Sequence, residues 1–165
     1  MTRKACVFTI SDSTHAGTRI DLSGPAVRAR LEELGWTVES EVMPDEIEVI
    51  SKRLTEVADG HQVAAIFTTG GTGVSLRDVT PEATRAVIER EIPGFGEWMR
   101  IGGRSSTKMS ILSRGVSGIR GRTLIVNLPG SPKGAVESLN AVVDLIPHVV
   151  DLLHGKTEHK VDLDK

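Results

Sequence analysis

Apolar runs and amphipathic stretches alternate through the first two-thirds of the chain. Ala5 to Ile10 is a mostly apolar run rich in β-formers, broken only by Thr9, which predicts a buried strand. A polar loop, Ser11 to Arg19, follows, and Ser23-Gly24-Pro25 then opens a helix with Ser23 as its cap. Val27, Leu31 and Leu34 give that helix an apolar face, and Gly35 ends it. Trp36 to Met43 alternates as a second strand. After Pro44-Asp45-Glu46 a second helix carries Ile47, Ile50, Leu54 and Val57 on one side and stops at Gly60. Val63 to Thr69 predicts a third strand. Thr80-Pro81-Glu82 predicts a helix start, with Thr80 as N-cap and Pro81 in the first helical position.

Beyond that helix the pattern is less regular. Glu89-Arg90-Glu91 suits a solvated turn, Pro93-Gly94-Phe95-Gly96 a helix break, and Glu97 to Arg100 the start of a short helix. Gly102 to Lys108 is basic and glycine-rich, which fits a mobile connector or a loop that orders on a substrate anion. Ile111–Ile119 and Thr123–Leu128 flank Arg120-Gly121-Arg122 as a hairpin. Pro129 to Gly134 is a proline-glycine turn, and Ala135 to His154 is helical, divided by Pro147. Strand and helix alternating in this way predict a single three-layer α/β/α domain over residues 1–154. Its sheet is mostly parallel with an antiparallel hairpin, and a polar tail follows over 155–165.

Composition narrows the function classes. At 165 residues, 39% hydrophobic and 25% charged, the chain is long enough for one well-buried core. A net charge of -2 with no long basic run argues against a general nucleic-acid binder. Cys6 stands alone within an apolar run, so no internal disulfide forms, and the expected reading is a buried, inert thiol. No apolar stretch reaches the length of a membrane-spanning helix. The start of the chain lacks a secretory leader pattern, so the expectation is a cytoplasmic protein. The histidines, His154 and His159 included, form no zinc-ligand spacing.

The candidate chemistry is concentrated between the third strand and the helix at Thr80. Gly70-Gly71-Thr72-Gly73 places three glycines within four residues. Glycine lets main-chain amides approach a ligand with no Cβ in the way, so a strand opening through such a loop suits an anion cradle or simply a tight turn. The spacing is neither that of a P-loop nor that of a dinucleotide fingerprint. Asp78 follows the loop, and Asp45 follows the second strand. Each carboxylate suits a helix cap, and each suits a metal-holding position at the carboxyl edge of a parallel sheet.

Five segments occur in a characteristic order: Thr68 to Gly73, Arg77 to Ala83, Pro93 to Glu97, Leu112-Ser113-Arg114 and Asn127 to Pro132. Ser11-Asp12-Ser13, Asp21 to Pro25 and Pro44-Asp45-Glu46 add to them. Together they resemble the molybdenum-cofactor biosynthesis family that includes molybdopterin adenylyltransferase (MogA), MoaB and the G-domain of gephyrin, over roughly residues 4–153. The resemblance implies Mg²⁺-dependent transfer of the adenylyl group of ATP to the terminal phosphate of molybdopterin, with release of pyrophosphate. It implies that Asp45 and Asp78 are catalytic and hold Mg²⁺ directly or through water. Gly70, Gly71, Thr72, Gly73, Pro129, Gly130 and Ser131 would line the nucleotide and its phosphates, and Lys108, Ser113 and Arg114 the molybdopterin side. It further implies a homotrimer, or a hexamer as in some MoaB-type members, and a molybdate-inserting enzyme of the MoeA type that uses the product. Two alternatives accompany it: a MoaB-like paralogue that binds molybdopterin without this activity, and a non-catalytic oligomeric scaffold.

Overall fold

The computed structural model describes residues 3–156; of the tail read over 155–165, residues 157–165, His159 among them, lie outside the described residues, as do Met1 and Thr2. Among the described residues six strands form one sheet: β1 (Lys4–Ile10), β2 (Thr37–Met43), β3 (Ala65–Thr69), β4 (Arg90–Glu91), β5 (Ser117–Arg120) and β6 (Thr123–Leu128). Their order is β2-β1-β3-β6-β5-β4. β2, β1, β3 and β6 run parallel, while β5 and β4 add antiparallel partners at one edge. The helices are α1 (Asp12–His15), α2 (Ser23–Glu33), α3 (Ile47–Asp59), α4 (Thr80–Arg85), α5 (Pro93–Gly103), α6 (Pro132–Val142) and α7 (Ile146–Leu153). A short 3-10 helix covers Lys108–Leu112.

The expected three layers are present because β1, β3 and β6 are apolar on both sides. Val7, Phe67, Leu124 and Val126 face α2, α5, α6 and α7 through Leu31, Phe95, Leu139 and Ile146. Phe8, Ile66 and Ile125 face α3 and α4 through Ile50, Leu54 and Ala83. Strands covered on both faces read as continuous apolar runs, as these do. Burial pushes the Cys6 thiol up to about 11, in keeping with an inert core residue.

Several local expectations are corrected. Ser23 lies inside α2 and does not cap it; the capping acceptor is Asp21, whose Oδ1 takes the Gly24 amide at 3.0 Å while its Oδ2 takes the Thr9 hydroxyl at 2.7 Å. Thr80 is the first residue of α4, and its hydroxyl donates to the Gly70 carbonyl at 2.9 Å and caps nothing. The segment read as a solvated turn, Glu89 to Glu91, contributes β4, because the Glu89 and Ile92 amides bond to the Ile119 and Ser117 carbonyls. α5 starts at Pro93 and runs through Gly103, so Gly102 and Gly103 are helical. The first hairpin arm is shorter than expected: residues 108–112 wind into the 3-10 turn and only Ser117–Arg120 pair with β6. The polar loop after β1 contains the short α1, capped by Ser11. α6 begins at Pro132, ahead of Ala135, and Pro147 sits in the first turn of α7.

The consequence for function lies in the parallel register. Ile10 pairs with Met43, Thr9 with Thr69, and Thr69 with Leu128. The loops leaving β1, β2, β3 and β6 therefore emerge together at one edge of the sheet, the edge at which open α/β folds bind ligands.

Candidate functional site

The loop after β3 is built on backbone that only glycine adopts cheaply. Gly70 has φ +100° and Gly71 has φ +64°. A Cβ on Gly70 would overlap the Ile10 carbonyl oxygen, and one on Gly71 would overlap Thr80 Oγ1. The Thr80 amide also closes onto the Gly71 carbonyl at 3.1 Å, so the helix start and the loop hold each other. The Gly70 amide is spent on the Leu128 carbonyl at 3.2 Å, which removes it from the set of anion donors. Among the described residues no acceptor engages the amides of Gly71, Thr72 or Gly73, nor those of Gly130 and Ser131. Those amides are the donors left for a phosphate.

Asp45 and Asp78 flank this loop. Neither caps a helix. Asp45 Oδ2 accepts the Asp12 amide at 2.9 Å, and Asp45 Oδ1 lies 3.0 Å from where a Cβ of Gly71 would stand. Asp78 Oδ2 accepts the Ser75 amide at 2.8 Å and lies 2.8 Å from the position of a Cβ on Gly73. The two carboxylates thus rest against two glycines of the same loop, and side chains at those positions would displace them. Burial raises the pKa of Asp45, and the charges of Asp12 and Asp78 push the same way against the Asp12 amide and the Arg77 charge.

Two cavities meet at this point. One, of about 380 Å³, is lined by Thr9, Ser11, Asp21, Asp45, Gly70 and Pro132 among others. The second, of about 440 Å³ and more apolar, is bounded by Thr72, Gly73, Val74, Met109, Ser113 and Pro129 among others. Gly71, Asp78, Gly130 and Ser131 line both. The β6 loop is fixed there by Thr69, whose hydroxyl donates to the Pro129 carbonyl at 2.7 Å, and by Ser131, which caps α6 through the Gly134 amide at 3.1 Å.

The structure therefore gathers Asp45, Asp78, Gly70 to Gly73, Pro129, Gly130, Ser131 and Ser113 around one double cavity. Arg114 lines neither cavity, and its guanidinium is spent on protein partners. Its Nε donates to the Gly73 carbonyl at 2.7 Å, its Nη2 to the Asp78 carbonyl at 2.6 Å, and its Nη1 pairs with Glu82. Arg114 staples the glycine loop in place from outside. Lys108 is exposed and lines neither cavity. Residues given no role from sequence also bear on the site: Asp21 lines the first cavity, while Asp12 and Arg77 line neither but connect to Asp45 and to the segment that carries Asp78. Arg77 reaches Asp12 Oδ2 through Nε at 2.9 Å and Nη2 at 2.7 Å. The available signal was their place in the segments that carry the family resemblance, Ser11-Asp12-Ser13, Asp21 to Pro25 and Arg77 to Ala83.

Among the described residues no cluster of three or more His, Cys, Asp or Glu side chains makes a self-sufficient metal cage. Asp45 and Asp78, beside amides with no acceptor, are a donor set that could hold Mg²⁺ were an anionic ligand to complete its shell.

Known proteins extend this picture. Residues 6–148 match the family described as probable molybdopterin binding domain. A molybdopterin adenylyltransferase of Helicobacter pylori is 43% identical over 152 residues, covering 90% of this chain and 86% of its own. The molybdopterin adenylyltransferase of Escherichia coli is 42% identical, covering 90% of this chain and 77% of its own. The crystal structure of the molybdopterin biosynthesis enzyme MoaB of Thermus thermophilus superposes with a TM-score of 0.88 at 47% identity, covering 94% of this chain and 98% of its own.

Proposed function

The chain belongs to the family of probable molybdopterin binding domains, and from that membership and the double cavity we propose that it is a molybdopterin adenylyltransferase acting in molybdenum cofactor biosynthesis. The observation that carries the reading is the junction itself. A reaction that joins two phosphorylated substrates needs two adjoining pockets with anion donors and carboxylates at the seam. Here Gly71, Asp78, Gly130 and Ser131 are that seam.

In this reading a phosphate oxygen of molybdopterin attacks the α-phosphorus of ATP, the bond to the β-phosphate breaks, and pyrophosphate leaves. The nucleophile is already ionised at neutral pH, so no general base is required. The amides of Gly71, Thr72 and Gly73 hold phosphate oxygens, and catalysis is mainly positioning and charge stabilisation. Asp45 and Asp78 would hold Mg²⁺, which when bound neutralises the charge gathered on the phosphates. The wall formed by Val74, Met109 and Leu112 gives the second cavity apolar surface for a ring system. The proposed assembly is a homotrimer, for which the exposed Trp98 and Ile101 on α5 offer apolar surface for a contact between copies without fixing their number, and the proposed consumer of the product is a molybdate-inserting enzyme of the MoeA type.

A second reading is a MoaB-like paralogue that binds molybdopterin without turnover; the 47% identity to the Thermus MoaB supports the likeness to MoaB, and turnover is what separates the readings. Pyrophosphate release with molybdopterin, ATP and Mg²⁺, each omitted in turn, separates the two. Release that needs all three supports the enzyme; bound molybdopterin with no release supports the paralogue.

A further inference from the structure

The turn after β1 and Arg77 take no part in the chemistry above, yet they close on it from two sides. Asp12 and Asp45 exchange two hydrogen bonds: the Asp12 amide donates to Asp45 Oδ2 at 2.9 Å, and the Asp45 amide donates to Asp12 Oδ1 at 3.0 Å. The remaining oxygen, Asp12 Oδ2, accepts both Nε and Nη2 of Arg77, at 2.9 and 2.7 Å. Arg77 immediately precedes Asp78. A single carboxylate therefore joins the loops after β1, β2 and β3, which lie 33 and 65 positions apart from it in sequence. With Asp45 Oδ2 held by the Asp12 amide, Asp45 Oδ1 is the oxygen left against Gly71.

Stability alone is a weak explanation for this arrangement. The side chains of Asp12 and Arg77 are 45% and 61% exposed, and ion pairs that open to solvent contribute only about 0–1 kcal/mol to folding. The pair bears instead on placement: Asp12 Oδ1 holds the Asp45 main chain, Asp12 Oδ2 holds Arg77 next to Asp78, and the Asp12 turn so anchored presents the amide that Asp45 Oδ2 accepts. We propose that Asp12 and Arg77 are positioning residues, forming a clamp that sets Asp45 and Asp78 against the glycine loop without touching substrate. The proposal rests on the adenylyl-transfer reading.

The test compares Arg77→Met, Asp12→Asn, the double variant and Arg77→Lys with the wild type in pyrophosphate release, together with Mn²⁺ affinity in the presence of ATP, read by electron paramagnetic resonance. Misplacing a catalytic group by about 1 Å costs on the order of tenfold to a hundredfold. Each single variant is accordingly expected to lose about tenfold or more in kcat, while the KM for molybdopterin stays within about twofold. The double variant is no worse than either single one, because both act through one unit. Arg77→Lys restores part of the rate, and Mn²⁺ binds several-fold more weakly to Arg77→Met. Arg53→Met is the control, since it breaks a comparably exposed ion pair, with Glu41, away from the site.

Wild-type kcat in both single variants, losses that multiply in the double variant, or an equal loss in Arg53→Met would overturn the clamp. Should the wild type release no pyrophosphate, the adenylyl-transfer reading fails, and Mn²⁺ affinity alone decides. Equal affinity in wild type and Arg77→Met then overturns the clamp, and weaker affinity in the variant upholds it as a metal-site positioner.

Discussion

Gly71→Ala tests the central claim, that the loop after β3 is shaped to bring free amides and carboxylates together. Two costs can be separated. The first is conformational: φ is +64° at this position, and an L-residue held in the left-handed region costs about 1–2 kcal/mol. The second is steric. The new Cβ would overlap Thr80 Oγ1, which is fully buried and donates to the Gly70 carbonyl at 2.9 Å. Displacing that hydroxyl leaves a buried polar group unpaired, at about 1–3 kcal/mol. The expected loss is therefore about 2–5 kcal/mol, measured as a shift in urea midpoint at constant m. Gly17 provides the calibration. Its φ is +76° and a Cβ there meets nothing within 4 Å, so Gly17→Ala should show the conformational cost alone, about 1–2 kcal/mol. In a Thr80→Ala background, the cost of Gly71→Ala should fall towards the Gly17 value, because the overlapping oxygen is gone. The new Cβ also presses on Asp45 Oδ1, so ATP affinity measured by calorimetry should drop in the folded fraction. Equal costs for Gly71→Ala and Gly17→Ala, with unchanged ATP affinity, would refute the reasoning.

Asp78→Asn keeps an acceptor for the Ser75 amide, so it should fold normally but lose at least about a hundredfold in pyrophosphate release, because a neutral amide holds Mg²⁺ poorly beside phosphates; normal turnover would remove Asp78 from the metal role. Asn127→Ala tests the core polar link. Its Oδ1 accepts the Val116 amide and its Nδ2 donates to Thr68 and Thr84, all buried, so the substitution should destabilise by about 2–4 kcal/mol in chemical denaturation. For pH dependence, the two hydrogen bonds from Arg120 hold the Asp59 carboxyl below its usual range. A lowered folded pKa means that this stabilisation is complete above the ordinary carboxylate range and vanishes as pH falls through the depressed value. The gap in midpoint between wild type and Arg120→Met should accordingly be wider at pH 7 than at strongly acid pH, and a gap independent of pH would contradict the assignment.

The strands and the glycine loop were legible in the sequence because their signals are local. A short run that opens apolar and ends in β-forming threonines, such as Ala65 to Thr69, suits a strand covered on both faces, and glycines crowded at its end announce backbone that side chains do not tolerate. Parallel strands joined by helices also fix that their carboxyl ends share one edge, so the sequence alone places Asp45 and Asp78 together. What only the tertiary structure decided was how each polar group is spent. Nothing within a few residues of Asp45 shows that it leaves its own helix uncapped and turns to the Asp12 amide, 33 positions away. Gly70 resembles its neighbours in sequence, yet the order β3-β6 hands its amide to Leu128. Arg114 looks like an anion ligand until the fold brings the Gly73 and Asp78 carbonyls and Glu82 around it. For the same reason Ser23 yields its expected capping duty on α2 to Asp21, and Thr80 gives up its own on α4 for the Gly70 carbonyl. Hydrophobic periodicity is written residue by residue, whereas a hydrogen bond is chosen by whichever partner the sheet order carries within about 3 Å.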